Sequence, residues 1–198
     1  MNHMKIAWTM LACALAWAAA AQDTNLIRTQ IGLLEARTGV LIVKGAGQVG
    51  AIPLGAEQLT VRCKETSVVN TGEKTWGLML QLEDNQNLPL RVLVDDDEVD
   101  SLINAVDYLM KINFEVTSLP GFEASYTSKA GLRIIAHSDR REGTIHAYVQ
   151  FGDYPRVPLS SVQMTQLYGL LGEARKNLAA LKSGKPADVR PLTGDGSY

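Results

Sequence analysis

The chain has 198 residues, a formal net charge of −2 and 46% hydrophobic residues. That composition can build a packed core and excludes a disordered polar chain. With no cluster of Lys or Arg, the balance argues against phosphate backbones and anionic lipid as partners.

Residues 1–21 have the layout of a secretory signal peptide: a basic start at Lys5, an uncharged apolar run from Ile6 to Ala18, then small residues through Ala21. The run is too short for a membrane span, and no second one follows it. Cleavage is expected after Ala20 or Ala21. That leaves 18 basic against 21 acidic residues, a formal charge of −3. The expected location is therefore periplasmic or secreted. Met10-Leu11-Ala12-Cys13 loosely resembles a lipoprotein processing site. It would tether the chain to a membrane if Cys13 were lipidated.

Asp23 can cap a short helix over residues 22–37, with Leu26, Ile27, Ile31 and Leu34 at helical spacing. From Thr38 the pattern turns to strands. Val40–Val43 is apolar, Leu59–Lys64 alternates, and Trp76, Leu78, Leu80 and Leu82 share one face. Leu90–Val94 completes the group. The turns fall at Asn70-Thr71-Gly72 and Asp84-Asn85-Gln86-Asn87.

A helix follows, with Val99, Leu102, Ile103, Val106, Leu109 and Met110 on one stripe. Asp95 and Glu98 form a capping-box pattern at its start, closed by a Val94–Val99 staple. The grammar then repeats. Strands are expected at Phe122–Ser128, Leu132–Ser138, Thr144–Phe151 and Arg156–Leu159. Ser160 with Gln163, stapled by Leu159 and Met164, opens a second helix carrying Leu167, Leu171, Ala174 and Leu178.

The expected fold is α+β: a short N-terminal helix, a ββββα unit over 38–113, a second over 114–182, and a disordered tail from 183 to 198. Each antiparallel sheet buries one face under an amphipathic helix. In the second unit Ile145, Ala147, Val149 and Phe151 face the helix. Thr144, His146, Tyr148 and Gln150 face away, beside Arg133, Ile135 and His137.

Tandem ββββα units resemble the whirly and Pur-type single-stranded nucleic-acid-binding proteins in order of elements, over roughly residues 38–182. The resemblance implies a saddle of sheets and a strand-binding face. Here that face would carry Tyr148 and Tyr126 but few cations.

The motifs that carry chemistry are few. Gly45-x-Gly47-x-x-Gly50 matches a dinucleotide fingerprint, but Pro53 and Gly55 interrupt the helix it needs. A strand-to-strand loop is expected instead, with no dinucleotide and no other cofactor. Asp95-Asp96-Asp97-Glu98 with Asp100 lacks the spacing of a calcium loop and reads as a cap in a solvated first turn. His137 and His146 lie on one face of a hairpin, short of the three or four ligands a zinc site needs, so no metal is expected. Cys63, in phase with Leu59 and Val61, reads as an inert core thiol. The sequence holds no G-x-S-x-G and no H-E-x-x-H.

The function expected is an exported, non-enzymatic binding module, contacting a partner protein, an envelope component or a small ligand through Arg133, His137, His146 and Tyr148. The alternatives are an exported hydrolase with its site between the units and a single-strand-binding protein.

Overall fold

The computed structural model describes residues 28–84 and 89–191. The residues expected to form a signal peptide, including Cys13, Ala20 and Ala21, and the expected cap Asp23 lie outside them. The fold is α+β, with two antiparallel four-stranded sheets, each followed by a helix, and a short helix in front. Sheet 1 has the order β1 (Ile42–Leu54), β2 (Glu57–Val68), β3 (Lys74–Asp84) and β4 (Leu90–Asp95). Sheet 2 has the order β5 (Glu123–Thr127), β6 (Leu132–Asp139), β7 (Thr144–Phe151) and β8 (Val157–Leu159). Helices α1 (Gln30–Glu35), α2 (Asp96–Lys111) and α3 (Ser161–Lys182) complete the chain. Among the described residues no helix is long and apolar enough to cross a membrane.

Local signals place most of the ends. Thr29 caps α1, and its hydroxyl accepts the Gly32 N–H at 3.0 Å. Capping boxes open both long helices, Asp95 with Glu98 and Ser160 with Gln163. Asn113 caps a single 3-10 turn, Phe114–Val116, in the link between the units.

The inward faces form one core. Leu78, Leu80 and Leu82 of β3 lie under Val99, Leu102 and Val106 of α2 and Leu167, Leu171 and Leu178 of α3. Leu132, Ile134 and Val149 close the same cluster from sheet 2. A fully buried Leu or Val of this kind contributes about 1.5–3 kcal/mol. Met110, expected on the α2 stripe, is instead exposed, at the far end of the helix.

Each helix also reaches the sheet of the other unit, which the simple picture of one helix per sheet does not contain. From α3, Gln163 Nε2 donates to the Pro53 carbonyl at 2.7 Å, and the Ala174 carbonyl lies 3.6 Å from Cys63 Sγ. From α2, Ser101 Oγ lies 3.2 Å from the Tyr126 hydroxyl on β5. The two helices are tied across their exposed sides. Arg175 grips Asp100 through Nε at 2.7 Å and Nη2 at 2.9 Å, and Lys182 meets Asp96 at 2.6 Å.

Two expectations need correction. The glycine run is not a loop. Gly45, Gly47 and Gly50 lie inside β1, paired with Glu65, Cys63 and Val61 of β2, with the register shifting between Gln48 and Gly50. Two of the three stand where other chain segments press on the strand. A Cβ on Gly50 would run into the Leu170 side chain, and one on Gly47 into Val189. Nor do residues 183–191 start a disordered tail. Gln48 and Arg190 exchange both backbone hydrogen bonds, at 3.0 and 2.9 Å. The Asn177 side-chain amide holds Asp188 at both its N–H and its carbonyl. That pairing satisfies a buried amide and offsets the entropy of ordering the segment.

Candidate functional site

The register of sheet 2 decides which side chains share its outward face. Glu123, His137 and His146 form one cross-strand row across β5, β6 and β7. Ser125, Ile135, Tyr148 and Pro158 form the next, and Thr127, Arg133 and Gln150 the third. The four expected site residues, Arg133, His137, His146 and Tyr148, are thus brought to one face. Tyr126 is not among them. It stands opposite Ile134 on the inward side, where burial pushes its hydroxyl pKa up.

The polar groups of this face are tied to one another. Arg133 reaches Gln150 at 3.3 Å and Glu123 at 3.4 Å, and Arg156 adds a 2.9 Å contact to the same carboxylate. His137 and His146 are both exposed and directly opposite. Even so, His146 Nε2 turns to the Thr144 hydroxyl at 2.9 Å and lies 3.6 Å from Glu142. Glu123 falls in the histidine row but is engaged by the two arginines. Ile135 differs from the expected polar surface: it is fully buried between Ser125 and Tyr148.

The outward face of sheet 1 is different. Thr60, Arg62, Lys64 and Thr66 on β2 are all buried. Helix α1 lies over its upper part, where Ile31 packs with Met79 and Leu93. Glu35 takes Lys64 at 2.9 Å, Lys44 at 3.1 Å and the Thr66 hydroxyl at 2.9 Å. Burial alone would raise the Glu35 pKa, but the Lys64 and Lys44 ammonium groups and the Thr66 hydroxyl together hold it below its ordinary value. Lower on the same face Arg62 donates through Nη2 to Glu83 at 3.3 Å, while its Nε and Nη1 have no partner among the described residues. None of this buried charge pattern follows from alternation alone.

Among the described residues, one acidic group has ligand-like spacing, Asp95 with Asp97 and Glu98. Its oxygens are already engaged. Asp95 accepts the N–H groups of Gln30 at 2.7 Å and Ile31 at 3.2 Å. Glu98 accepts the Lys129 N–H at 2.8 Å. The Lys129 ammonium lies 2.8 Å from Asp97 and 3.5 Å from Asp95, where a cation would otherwise sit. The first turn is only partly solvated, since Asp95 and Glu98 are buried. The acids join α1, α2 and the β5–β6 turn.

Cys63 is buried and burial pushes its thiol up to about 12, so the thiolate needed for nucleophilic chemistry is not formed near neutral pH. The glycine run cannot cradle a pyrophosphate, because it opens no helix. An open cavity of about 350 Å³ lies beside it, lined by Val43, Gly45, Gly47, Cys63, Leu181 and Val189 among others. It was illegible in the sequence, because it depends on where α3 ends and where the following segment crosses β1.

No family model, no curated protein and no solved structure matches this chain. The likeness to whirly and Pur-type proteins rests on order of elements alone.

Proposed function

We propose that the chain is an exported, non-enzymatic module that binds a partner protein or envelope component through the outward face of sheet 2. The supporting observation is the contrast between the two outward faces. That of sheet 1 carries α1 and buried side chains. That of sheet 2 presents His137, His146, Tyr148 and the Arg133–Glu123–Arg156 network on a sheet backed by the core. Arg and Tyr are the residue types that supply anchor energy at protein interfaces. The mutual ion pairs hold both arginines in one geometry before a partner arrives, which lowers the ordering cost of association.

The test is the double substitution His146→Ala and Tyr148→Ala, outside the core. A partner recovered by pull-down with the native chain should be lost with the double variant, while circular dichroism shows the fold retained at a stability cost of about 1–2 kcal/mol from uncovering Ile135. Equal recovery of that partner by both chains overturns the assignment of this face.

A further inference from the structure

The cavity beside β1 lies on the inward side of sheet 1, away from the face assigned above. It forms because α3 stops short. Leu181, at the end of the helix, is the last side chain to reach down, and Val189 crosses β1 at Gly47. Between them and the far end of β1 no described residue covers Gly45, whose Cβ would meet only the Glu65 carbonyl, at 4.0 Å. Two glycines on the strand remove the side chains that would fill the space. At about 350 Å³ the cavity enters the range of small-molecule sites, roughly 300–1,000 Å³. The apolar strip continues outward, with Val43 and Leu41 more than half exposed.

Among the described residues the lining holds one charge, the Glu65 carboxylate. Glu65 accepts the indole N–H of Trp76 at 3.2 Å and the Lys74 ammonium at 2.9 Å. Trp76 stands directly opposite it on β3. Lys74 is half-exposed, so its ammonium can be solvated by water once the pair with Glu65 opens. An apolar trough with a carboxylate on its wall suits a molecule with an aliphatic body and a cationic head. The head would take the place of Lys74, whereas an anionic head would face the carboxylate directly. Ser67, two residues beyond Glu65 on the same face of β2, also lines the cavity.

We infer that this cavity binds a single-chain amphiphile, its aliphatic body between Gly45, Leu181 and Val189 and its cationic head at Glu65.

Trp76 provides the readout. In the full chain carrying Trp8→Phe and Trp17→Phe it is the only tryptophan. Dodecyltrimethylammonium, added below its micellar concentration, should shift Trp76 emission saturably with circular dichroism unchanged. Tetramethylammonium, the head alone, should give no shift, and dodecyl sulfate should bind at least about tenfold more weakly. Gly45→Leu should abolish the response by filling the trough, and Ser67→Leu should do so from the facing strand. Glu65→Gln should erase the preference for the cationic head but keep the response to the chain. The inference is overturned by an absent or non-saturable response, by equal affinity for the sulfate, or by a response unchanged in both filling variants. A shift that comes only with loss of the circular dichroism signal is unfolding, and overturns it as well.

Discussion

The carboxylate of Asp95, at the end of β4, accepts the backbone N–H of Gln30 at 2.7 Å, sixty-five residues earlier in the chain. Ile31 donates to the other oxygen at 3.2 Å. One buried acid therefore caps α2, anchors the start of α1 and approaches Lys129. The first turn of α1 has few intrahelical partners for its N–H groups, and six residues are too few for a helix to persist unaided. Asp95 supplies what the short helix lacks.

Asp95→Ala should therefore cost about 2–3 kcal/mol, combining a lost cap with charge-assisted bonds to α1. Denaturant unfolding measures it. A loss no larger than that of an ordinary surface substitution would show that Ile31, Leu34 and the Glu35 contacts hold α1 without it.

Glycine substitutions should split by sign. A Cβ on Gly169 of α3 would meet nothing within 4 Å, so Gly169→Ala should stabilise by about 0.5–1 kcal/mol. A Cβ on Gly77 would strike the Val94 carbonyl and the end of Ile31. Gly77→Ala should destabilise by about 1–3 kcal/mol, since β4 and α1 must both shift. Paired thermal melts give the comparison, and a loss in the Gly169 variant would mean that the helix needs its glycine for a reason other than space.

Glu35 makes stability depend on pH in the acid range. Its folded pKa lies below the ordinary 4.5, burial notwithstanding, because Lys64 and Lys44 favour the carboxylate. Its contribution is complete above about 4.5, where the carboxyl is ionised even in the unfolded chain. It is lost as pH falls from there through the lower folded value. Stability measured from pH 7 down to 3 should fall less steeply in Glu35→Gln than in the native chain. Parallel curves would place the acid sensitivity elsewhere.

The Cys63 thiol should be silent in the folded protein. With its pKa at about 12 and its side chain in the core, a thiol reagent at pH 8 should modify Cys63 in the Cys13→Ser chain only on unfolding. Labelling at the rate of an exposed thiol in native conditions would mean that the cavity beside it opens widely. Partial protection by dodecyltrimethylammonium would then connect that opening to the amphiphile site.

The sequence carried the elements because local physics writes them locally. The two capping boxes, the stripe Met164–Leu167–Leu171–Ala174–Leu178 and the alternation of Leu78, Leu80 and Leu82 each lie within one segment, and each sits where its period puts it. The outward grouping of Arg133, His137, His146 and Tyr148 was legible for the same reason, since a hairpin with a short loop fixes parity on both strands. The glycine run in β1 was misread because glycine weakens a strand pattern, and its cause, the approach of Leu170 and Val189, lies more than a hundred residues away. The docking of residues 183–191 was hidden likewise, in one asparagine on the buried side of α3.

By itself, then, the amino-acid order determined which segments become strands and helices, which face of each is apolar, and that Cys63 belongs to the core. Tertiary structure alone decided that each helix reaches the other unit's sheet, that Lys129 occupies the acidic cluster, that among the described residues α1 lies over the outward face of sheet 1, and that a cavity remains beside Gly45. Periodicity constrains a residue relative to its near neighbours. Partners brought together across sixty or a hundred residues are chosen by shape and charge once the sheets have formed.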